Sequence, residues 1–256
     1  MKNENLKIAI ITPEIFPLAK TGGLADVCSA LAKSLQALGH QVKVILPKYK
    51  TIDDGSLNVK TIFAVPISVG SHSETVQIQA SQLPGSSIEC LLISCDKYFA
   101  REGMYEDPST GLDYVDNDER FILFSKAANE SLKAVDFQPD VINPHEYQAA
   151  LVPAFLKTVY AQDSFWKNSS TIFTIQNIAY QGNYPKESFS KLSLPPEFSS
   201  HKNNFEQKGK LCFLKAGIVY ADALTTVSET YAVDIQSTHD FGYGLEEVVR
   251  QRNLDL

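Results

Sequence analysis

The sequence lacks the patterns typical of a metalloprotein, a membrane protein or a nucleic-acid-binding protein. Its five histidines are scattered, and its four cysteines (Cys28, Cys90, Cys95 and Cys212) follow no zinc-site spacing. No apolar run approaches the roughly 20 residues that span a bilayer, and the first apolar run is too short for a signal-peptide core. A net charge of −7 without a basic cluster does not suit nonspecific nucleic-acid binding. We therefore expect reduced cysteines, no metal or other cofactor, no nucleic-acid or membrane partner, and a cytoplasmic location (plastid if the source is plant or algal).

The composition is that of an ordinary globular domain, at 44% hydrophobic and 21% charged residues over 256 positions. Apolar runs of strand length alternate with helical patterns, which predicts an α/β fold with a mostly parallel sheet. The strands are predicted at 8–11, 41–46, 59–69, 75–83, 88–94, 139–143, 171–176 and 223–227. The closely spaced runs within 59–94 predict an antiparallel excursion at the sheet edge. No repeat or interdomain linker is visible, so we predict one domain.

Helices are predicted between these strands. The first is expected to bury one face formed by five residues at helical spacing: Leu24, Val27, Leu31, Leu35 and Leu38. Further helices are predicted at 121–135, at 146–160 apart from Pro153, at 205–220, and after a capping Ser228, which would begin the last helix. Residues 177–204 are predicted to form a long loop, and loops of that length are usually functional or mobile.

A glycine pair separates the first strand from the first helix. A helix N-terminus offers unpaired N–H groups and a partial positive charge, and Gly22 and Gly23 would let an anion approach them. Lys20 adds a full positive charge beside the pair. The pattern indicates a site for a phosphate or an anionic sugar, although the same residues also suit a simple turn.

Other conspicuous loops follow the strands at 139–143 and 171–176. Because ligands bind at the carboxyl ends of strands in such sheets, we expect the three loops 12–23, 143–147 and 176–182 to gather along one edge.

The run from Thr12 to Val27, TPEIFPLAKTGGLADV, resembles the N-terminal signature of bacterial glycogen synthases and plant starch synthases. Six further segments resemble motifs of the same family: Tyr98–Tyr105, Asp116–Phe121, Gln176–Gly182, Phe213–Gly217, Ala221-Asp222 and Phe241–Glu246. The resemblance therefore covers nearly the whole chain.

The resemblance implies a Rossmann-like sheet with helices on both faces, as the N-terminal half of a two-domain GT-B glycosyltransferase. That family transfers glucose from ADP-glucose or UDP-glucose to the non-reducing end of an α-1,4-glucan, with retention of configuration. By resemblance, Lys20, Gly22 and Gly23 would face the donor diphosphate. Glu14 and Tyr105 would line the sugar or acceptor side, whereas outside the family context they suit loop surface and a packed aromatic.

Two segments depart from the family's pattern. The family usually has His-Asp-Trp-His after its central strand, whereas this chain keeps His145 and continues with Glu146, Tyr147 and Gln148, which we predict to bind substrate. Where the family has Thr-Val/Ile-His-Asn after the next strand, this chain has Thr-Ile-Gln-Asn at 174–177. Gln176 and Asn177 are the predicted catalytic residues. A glutamine donates and accepts hydrogen bonds but takes no proton, so normal turnover is in doubt.

The family's second domain supplies the nucleotide pocket and the cations that stabilise the leaving diphosphate. None of these can be matched here, so residues 1–256 are predicted to be the N-terminal domain, with the C-terminal nucleotide-binding domain absent. The sequence ends at 253–256, about where the interdomain connection would begin. Three interpretations stay open: a half-enzyme that works with a separate C-terminal domain, a non-catalytic glucan-binding or regulatory subunit, and a fragment.

Overall fold

The computed structural model describes residues 5–52 and 54–252, without the side chains of residues 54, 56, 199 and 201. The predicted start of an interdomain connection at 253–256 lies outside the described residues. The strands, in chain order, are β1 (Lys7–Ile11), β2 (Gln41–Pro47), β3 (Lys60–Val69), β4 (His72–Gln82), β5 (Glu89–Ser94), β6 (Glu106–Asp107), β7 (Leu112–Asp113), β8 (Val141–Pro144), β9 (Ser170–Ile175), β10 (Asn183–Tyr184), β11 (Glu206–Gln207), β12 (Lys210–Cys212) and β13 (Ala223–Thr226).

The helices are α1 (Gly23–Ala37), α2 (Asp54–Leu57), α3 (Asp96–Phe99), α4 (Asn117–Ala134), α5 (Glu146–Ala149), α6 (Leu151–Lys157), α7 (Phe213–Tyr220), α8 (Glu229–Ser237), α9 (His239–Gly242) and α10 (Glu246–Arg252). Three 3₁₀ segments complete the described structure, at Ser164–Trp166, Lys186–Leu192 and Pro196–Asn204.

The main sheet has the strand order β13-β9-β8-β1-β2-β5-β4-β3. Every pair from β13 to β5 is parallel, and β4 and β3 are antiparallel. The mostly parallel sheet and the antiparallel excursion at its edge are therefore confirmed. The chain builds outward from β1 through β2 to β5 and then returns to β8 on the other side of β1. Because crossovers between parallel strands are right-handed, this reversal puts helices on both faces.

The central strands are buried on both sides, as strands of a parallel sheet require. Ala9, Ile10 and Ile11 of β1 have no exposed surface, and neither have Val44 and Ile45 of β2. These apolar runs fix the register of the two strands, in which Ile10 pairs with Val44. The loops after β1, β8 and β9 are thereby held at one edge.

Helix α1 does not present the predicted apolar face in full. Its buried residues are Ala25, Cys28, Ser29 and Ala32, whereas Val27 and Leu38 are 42% and 63% exposed. The observed face is rotated by about one residue, roughly 100°, so small side chains meet the sheet. The leucines at 24, 31 and 35 are partly buried and pack against the core from the flanks.

The predicted helix over 205–220 is half wrong, because only Phe213–Tyr220 is helical. Strands β11 and β12 form a hairpin before it, closed by Lys208 and Gly209, both with positive φ (50° and 76°). Two such residues make the turn that joins tightly paired antiparallel strands. This hairpin pairs with β10 in a three-stranded sheet, so the long loop predicted over 177–204 contains a strand and two 3₁₀ segments.

Two smaller predictions need correction. The helix at 146–160 divides at Ala150 rather than at Pro153, which lies inside α6. The proline ring excludes the carbonyl four residues earlier, so the division falls just after Ala149. Ser228 does cap α8, since its hydroxyl accepts the N–H of Tyr231 at 3.1 Å, but α9 and α10 follow.

Within residues 5–52 and 54–252, no helix is long and apolar enough to cross a bilayer. The same residues contain no group of three or more histidine, cysteine or acidic side chains that could hold a metal. The four cysteines are buried and free.

Candidate active-site cleft

A cleft of about 1190 Å³ opens where β1, β8 and β9 end. The loops that follow these strands line it, together with the segment around the β6–β7 hairpin. The expectation that these loops gather along one edge is confirmed. The cleft also lies at the reversal between β1 and β8, the place where sheets of this topology bind ligands.

Four carboxylates line the cleft: Glu14, Glu106, Asp113 and Glu146. No lysine, arginine or histidine is among the described residues of its lining. The lining also contains amide side chains and aromatic rings, of which Tyr180 is 63% exposed. Such a surface suits an uncharged ligand rich in hydroxyl groups, because carboxylate and amide oxygens accept hydrogen bonds from hydroxyl groups.

Glu14 uses its carboxylate inside the chain. Its Oε2 accepts the backbone N–H groups of Thr21 (2.6 Å) and Gly22 (3.2 Å). Its Oε1 accepts the hydroxyls of Thr21 (2.6 Å) and Tyr105 (2.8 Å). The side chain is 3% exposed, and four donors fill the acceptor positions of a carboxylate. Glu14 therefore fixes the glycine loop against Tyr105, and its oxygens are already bonded within the chain.

Lys20 lies outside the lining of the cleft. Its Nζ is 2.7 Å from Asp26 Oδ2, and the two side chains are 44% and 54% exposed. An exposed pair of this kind contributes about 0–1 kcal/mol. The ammonium group can therefore leave Asp26 for a more strongly charged anion at little cost.

Gly22 and Gly23 lie at the cleft with open space in front of them. A Cβ added at either position would meet no atom within 4 Å, and Gly22 has a φ of −148° that other residues adopt. The packing of the described chain therefore does not require glycine here. Helix α1 begins at Gly23, so its first N–H groups lack partners inside the helix and stand next to this space.

Glu146 holds the loop after β9 to the loop after β8. Its Oε1 accepts the backbone N–H groups of Gln176 (2.6 Å) and Asn177 (2.9 Å). Burial raises the pKa of this carboxyl to about 7; the two N–H groups lower it, and the negative charge of Glu14 raises it further. Glu146 also has a positive φ of 62°, a conformation that costs a non-glycine residue about 1–3 kcal/mol.

A chain of hydrogen bonds runs from β8 to the cleft. The Nδ2 of Asn143 donates to the carbonyl of Ile172 (2.6 Å) and to Thr174 Oγ1 (2.8 Å), which assigns its Oδ1 as the acceptor facing His145. The Nε2 of His145 therefore carries the proton and donates to Asn143 Oδ1 at 2.9 Å. Its Nδ1 is left with a lone pair and accepts the side-chain N–H of Gln176 at 3.3 Å.

Burial lowers the pKa of His145 to about 4, so the imidazole is neutral at pH 7. The side chain of His145 is 1% exposed and does not line the cleft, whereas Gln176 does. The amide of Gln176 is thus oriented from behind, and no described residue bonds its Oε1. Asn177, beside it, accepts the N–H of Ala179 on its own Oδ1 at 3.0 Å.

Gln148 and Tyr147 form the adjoining wall. Gln148 is 5% exposed and lines the cleft, yet its buried Oε1 has no bonding partner among the described residues. The ring of Tyr147 packs edge-on against Phe121, with centroids 5.7 Å apart. Gly182 lies directly beside this ring: it has a φ of 61°, and a Cβ there would lie 2.5 Å from Tyr147 Cδ2.

Arg120 supports the segment that carries Tyr105. It has no exposed surface and donates to the carbonyls of Tyr98 (2.8 Å) and Met104 (2.9 Å) and to Asn117 Oδ1 (2.6 Å). The Nδ2 of Asn117 in turn donates to the carbonyl of Tyr105 at 3.0 Å. No described carboxylate lies within ion-pair distance of Arg120, and backbone oxygens stabilise its charge instead.

The sequence interpretation did not select His145, Arg120, Asn143 or Tyr180 as site residues. His145 was visible as the retained residue of an altered motif, and Tyr180 as part of a matching segment. Arg120 also stood in a matching segment, Asp116–Phe121. Its bonds to the carbonyls of Tyr98 and Met104, and those of Asn143 to Ile172 and Thr174, join residues distant in the chain, and no local pattern indicates such bonds.

The family becomes clear from comparison with known proteins. Residues 7–251 match the family model of the starch synthase catalytic domain. The chain is 38% identical over 255 residues to the glycogen synthase of Moorella thermoacetica and 40% identical over 257 residues to that of Elusimicrobium minutum. These alignments cover 99% and 96% of this chain and 50% of each relative.

A solved structure shows the same fold. The catalytic domain of starch synthase IV from Arabidopsis thaliana, bound to ADP and acarbose, superposes with a TM-score of 0.85 at 27% identity. The match covers 97% of this chain and 50% of that structure, and the chain likewise spans about half the length of the curated relatives it matches. Because the family model matches almost all of the described residues, this chain belongs to the starch synthase catalytic domain family.

Proposed function

We propose that this chain is the glucan-binding N-terminal half of a glycosyltransferase of the glycogen synthase type. Such an enzyme transfers glucose from ADP-glucose or UDP-glucose to the non-reducing end of an α-1,4-glucan with retention of configuration. The observation that carries the proposal is the cleft at the strand reversal, lined by carboxylates, amides and aromatic rings and by no described cation.

The chemistry of this lining favours a neutral glucan. The side chain of Gln148 lines the cleft, and its amide can exchange hydrogen bonds with sugar hydroxyls. The exposed ring of Tyr180 offers an apolar face to a sugar ring.

The residues nearest the reacting sugar in the proposed complex are Gln176 and Asn177. Gln176 presents an oriented amide that stabilises charge by hydrogen bonding and transfers no proton. Glu146 holds both backbones in place through its Oε1. Tyr105 and Glu14 keep the opposite wall in position.

The donor diphosphate is proposed to approach the first turn of α1. The open space in front of Gly22 and Gly23 and the weakly held ammonium of Lys20 support this placement. The carboxylates of the cleft oppose an anion, so the proposal includes a second, nucleotide-binding domain that supplies most of the positive charge. No metal or other cofactor takes part in the proposal.

A non-catalytic role in glucan binding or regulation is the second candidate. It is favoured by position 176, where the family's histidine is replaced by an amide that cannot exchange a proton. Under this candidate the cleft binds glucan and the chain has no part in transfer. A fragment without an independent role would neither bind glucan nor take part in transfer.

The first test is a titration of the chain with maltoheptaose, followed by NMR chemical shifts. A single open face should bind in the millimolar range, on the order of −4 kcal/mol. We expect shifts at Gln148 and Asn177, and weaker binding by Tyr180→Ala. Phe241→Ala is the matched control, because Phe241 is 53% exposed and does not line the cleft. An absence of shifts at tens of millimolar sugar would leave only the fragment interpretation.

The second test separates the enzyme from the binding subunit. The chain alone should incorporate no labelled glucose from ADP-glucose into glycogen, because positioning and charge at the leaving group need the second domain. A chimaera that joins this chain to the second half of the Moorella thermoacetica glycogen synthase should incorporate label. A folded chimaera that binds maltoheptaose and transfers nothing would support the binding subunit.

A further inference from the structure

A second cavity, of about 440 Å³, lies apart from the cleft. It is enclosed by the β11–β12 hairpin and by the 3₁₀ segments Lys186–Leu192 and Pro196–Asn204. No residue lines both cavities, although β10, the neighbour of β12, contributes to the cleft. A cavity of this size is within the range of small-molecule sites.

Five charged side chains line the cavity: Lys186, Lys202, Lys210, Glu187 and Glu206. None of the five forms an ion pair with any described residue. Elsewhere on the surface, lysines often do pair, as Lys133 does with Asp163 (2.6 Å) and Lys157 with Asp222 (2.7 Å). Cations and anions are therefore close together here without neutralising one another.

The floor of the cavity is a packed apolar surface. Phe205 has no exposed surface, and Leu211 is 2% exposed. Phe189 packs edge-on against Phe205 with ring centroids 5.6 Å apart, and the Nζ of Lys202 lies 5.4 Å from the centroid of Phe189. The backbone N–H of Cys212 donates to the carbonyl of Phe205 at 2.7 Å, which ties the floor to the hairpin.

We infer that this cavity binds a sugar monophosphate. Three ammonium groups supply the charge and the donors that a phosphate needs. Two carboxylates accept hydrogen bonds from sugar hydroxyls, and the ring of Phe189 offers an apolar contact to the sugar. Inorganic phosphate would meet the same two carboxylates with no hydroxyl to offer them, and a neutral sugar would leave three ammonium groups without a partner. The mixed set of charges fits a ligand that has both a phosphate and hydroxyls.

Calorimetric titration of the full chain tests the inference, with glucose 1-phosphate and glucose 6-phosphate as probes. We expect at least one of them to bind with a Kd at or below about 1 mM. The double variant Lys186→Ala/Lys210→Ala should weaken this binding by about tenfold or more, because it removes two charge-assisted contacts. Lys60→Ala is the control, since Lys60 is exposed at the start of β3 in the main sheet and does not line the cavity.

Glu206→Gln is a second test, in which the binding of one anion should become stronger rather than weaker. It should strengthen the binding of inorganic phosphate, by removing a repelling charge, without strengthening the binding of the sugar monophosphate. Saturating maltoheptaose should not displace the sugar phosphate, because no residue is shared with the cleft. The inference is overturned if neither probe binds at about 10 mM, if the double variant binds as well as the unaltered chain, if inorganic phosphate binds as tightly as the probes, or if maltoheptaose competes.

Discussion

The side-chain amide of Gln176 donates a hydrogen bond to the Nδ1 of His145, 3.3 Å away. Asn143 fixes the proton of that imidazole on Nε2, so Nδ1 serves only as an acceptor. The neutral imidazole of His145 therefore serves to orient the amide of Gln176. The amide of Gln176, which reaches the cleft, can form hydrogen bonds with a sugar but cannot exchange a proton with the sugar.

Replacing this amide should change the rate of transfer. In the chimaera with the Moorella thermoacetica second half, we predict that Gln176→His raises kcat by about tenfold, roughly 1.4 kcal/mol of transition-state stabilisation. An imidazole N–H at this position can still donate to His145 and adds a group that can take a proton. The effect should appear in kcat more than in KM if the contact forms mainly in the transition state.

Gln148→His is the comparison for this variant, because Gln148 lies on the same wall and has no bond to His145. It should change kcat little on its own. A neutral or harmful effect of Gln176→His in a folded chimaera would mean that the cleft has repacked around glutamine, and would favour the binding-subunit interpretation.

Glu146 should make the protein less stable as the pH rises towards neutrality. Burial raises its pKa to about 7 in the folded state, against 4.5 for an unperturbed glutamate, so between these values the folded state keeps a proton that the unfolded state releases. The associated stability is fully present below about pH 4.5 and is lost as the pH rises through about 7, some 3 kcal/mol in all.

Glu146→Gln should remove this decline, because the amide carries no proton equilibrium and its Oε1 can still accept both N–H groups. Denaturant unfolding at pH 5 and pH 8 measures the effect. We expect the variant to gain stability over the unaltered chain at pH 8. Glu197→Gln, at an exposed position, is the control, and an equal pH response in both variants would contradict the prediction.

Gly23→Ala should separate stability from ligand binding. Alanine is favoured over glycine in a helix by up to about 1 kcal/mol, and a Cβ at Gly23 meets no atom within 4 Å. We therefore predict an unchanged or slightly higher Tm for the chain, together with a higher KM for the nucleotide sugar in the chimaera. A variant with unaltered donor kinetics would show that nothing approaches the backbone at this point.

Arg120→Lys should loosen the wall that carries Tyr105. A lysine cannot reproduce three bonds in a fixed fork, and each buried carbonyl left without a donor costs about 1–3 kcal/mol. We predict a loss of about 3 kcal/mol in the free energy of unfolding, measured in urea. Arg250→Lys is the control, because Arg250 pairs with Glu247 at 2.7 Å and both side chains are more than half exposed, so lysine can keep this weak pair. A comparable loss in both variants would remove the special role of Arg120.

The sheet was predictable because its strands are apolar runs separated by turn residues, a local signal. The same holds for the edge where the loops meet, which follows from strand direction alone. The face of α1 was not predictable from its leucines, because the sheet accepts Ala25 and Ala32 at close range and leaves the larger side chains at the flanks. The β11–β12 hairpin had one local signal, Gly209 after Lys208, within an otherwise helical apolar pattern.

The bonds inside the site needed the fold. The family resemblance put Glu14 on the sugar or acceptor side and gave no partner for its carboxylate, whose four donors come from residues 21, 22 and 105. Lys20, the predicted partner of a ligand anion, pairs with Asp26 in this structure. Both outcomes depend on how side chains of one loop share their donors and acceptors, and composition does not determine that.

The glycines at the cleft are under two different kinds of evolutionary constraint. Gly182 has a positive φ and no room beside Tyr147, so any lineage that keeps the fold with an aromatic residue at 147 keeps glycine at 182. Gly22 and Gly23 have room for a side chain, so packing within the described chain does not select for them and a ligand would. In descendants that lose the ligand, substitutions would accumulate at 22 and 23 while 182 stayed fixed. We therefore expect an alignment of relatives at these three positions to distinguish chains that keep the ligand from chains that have lost it.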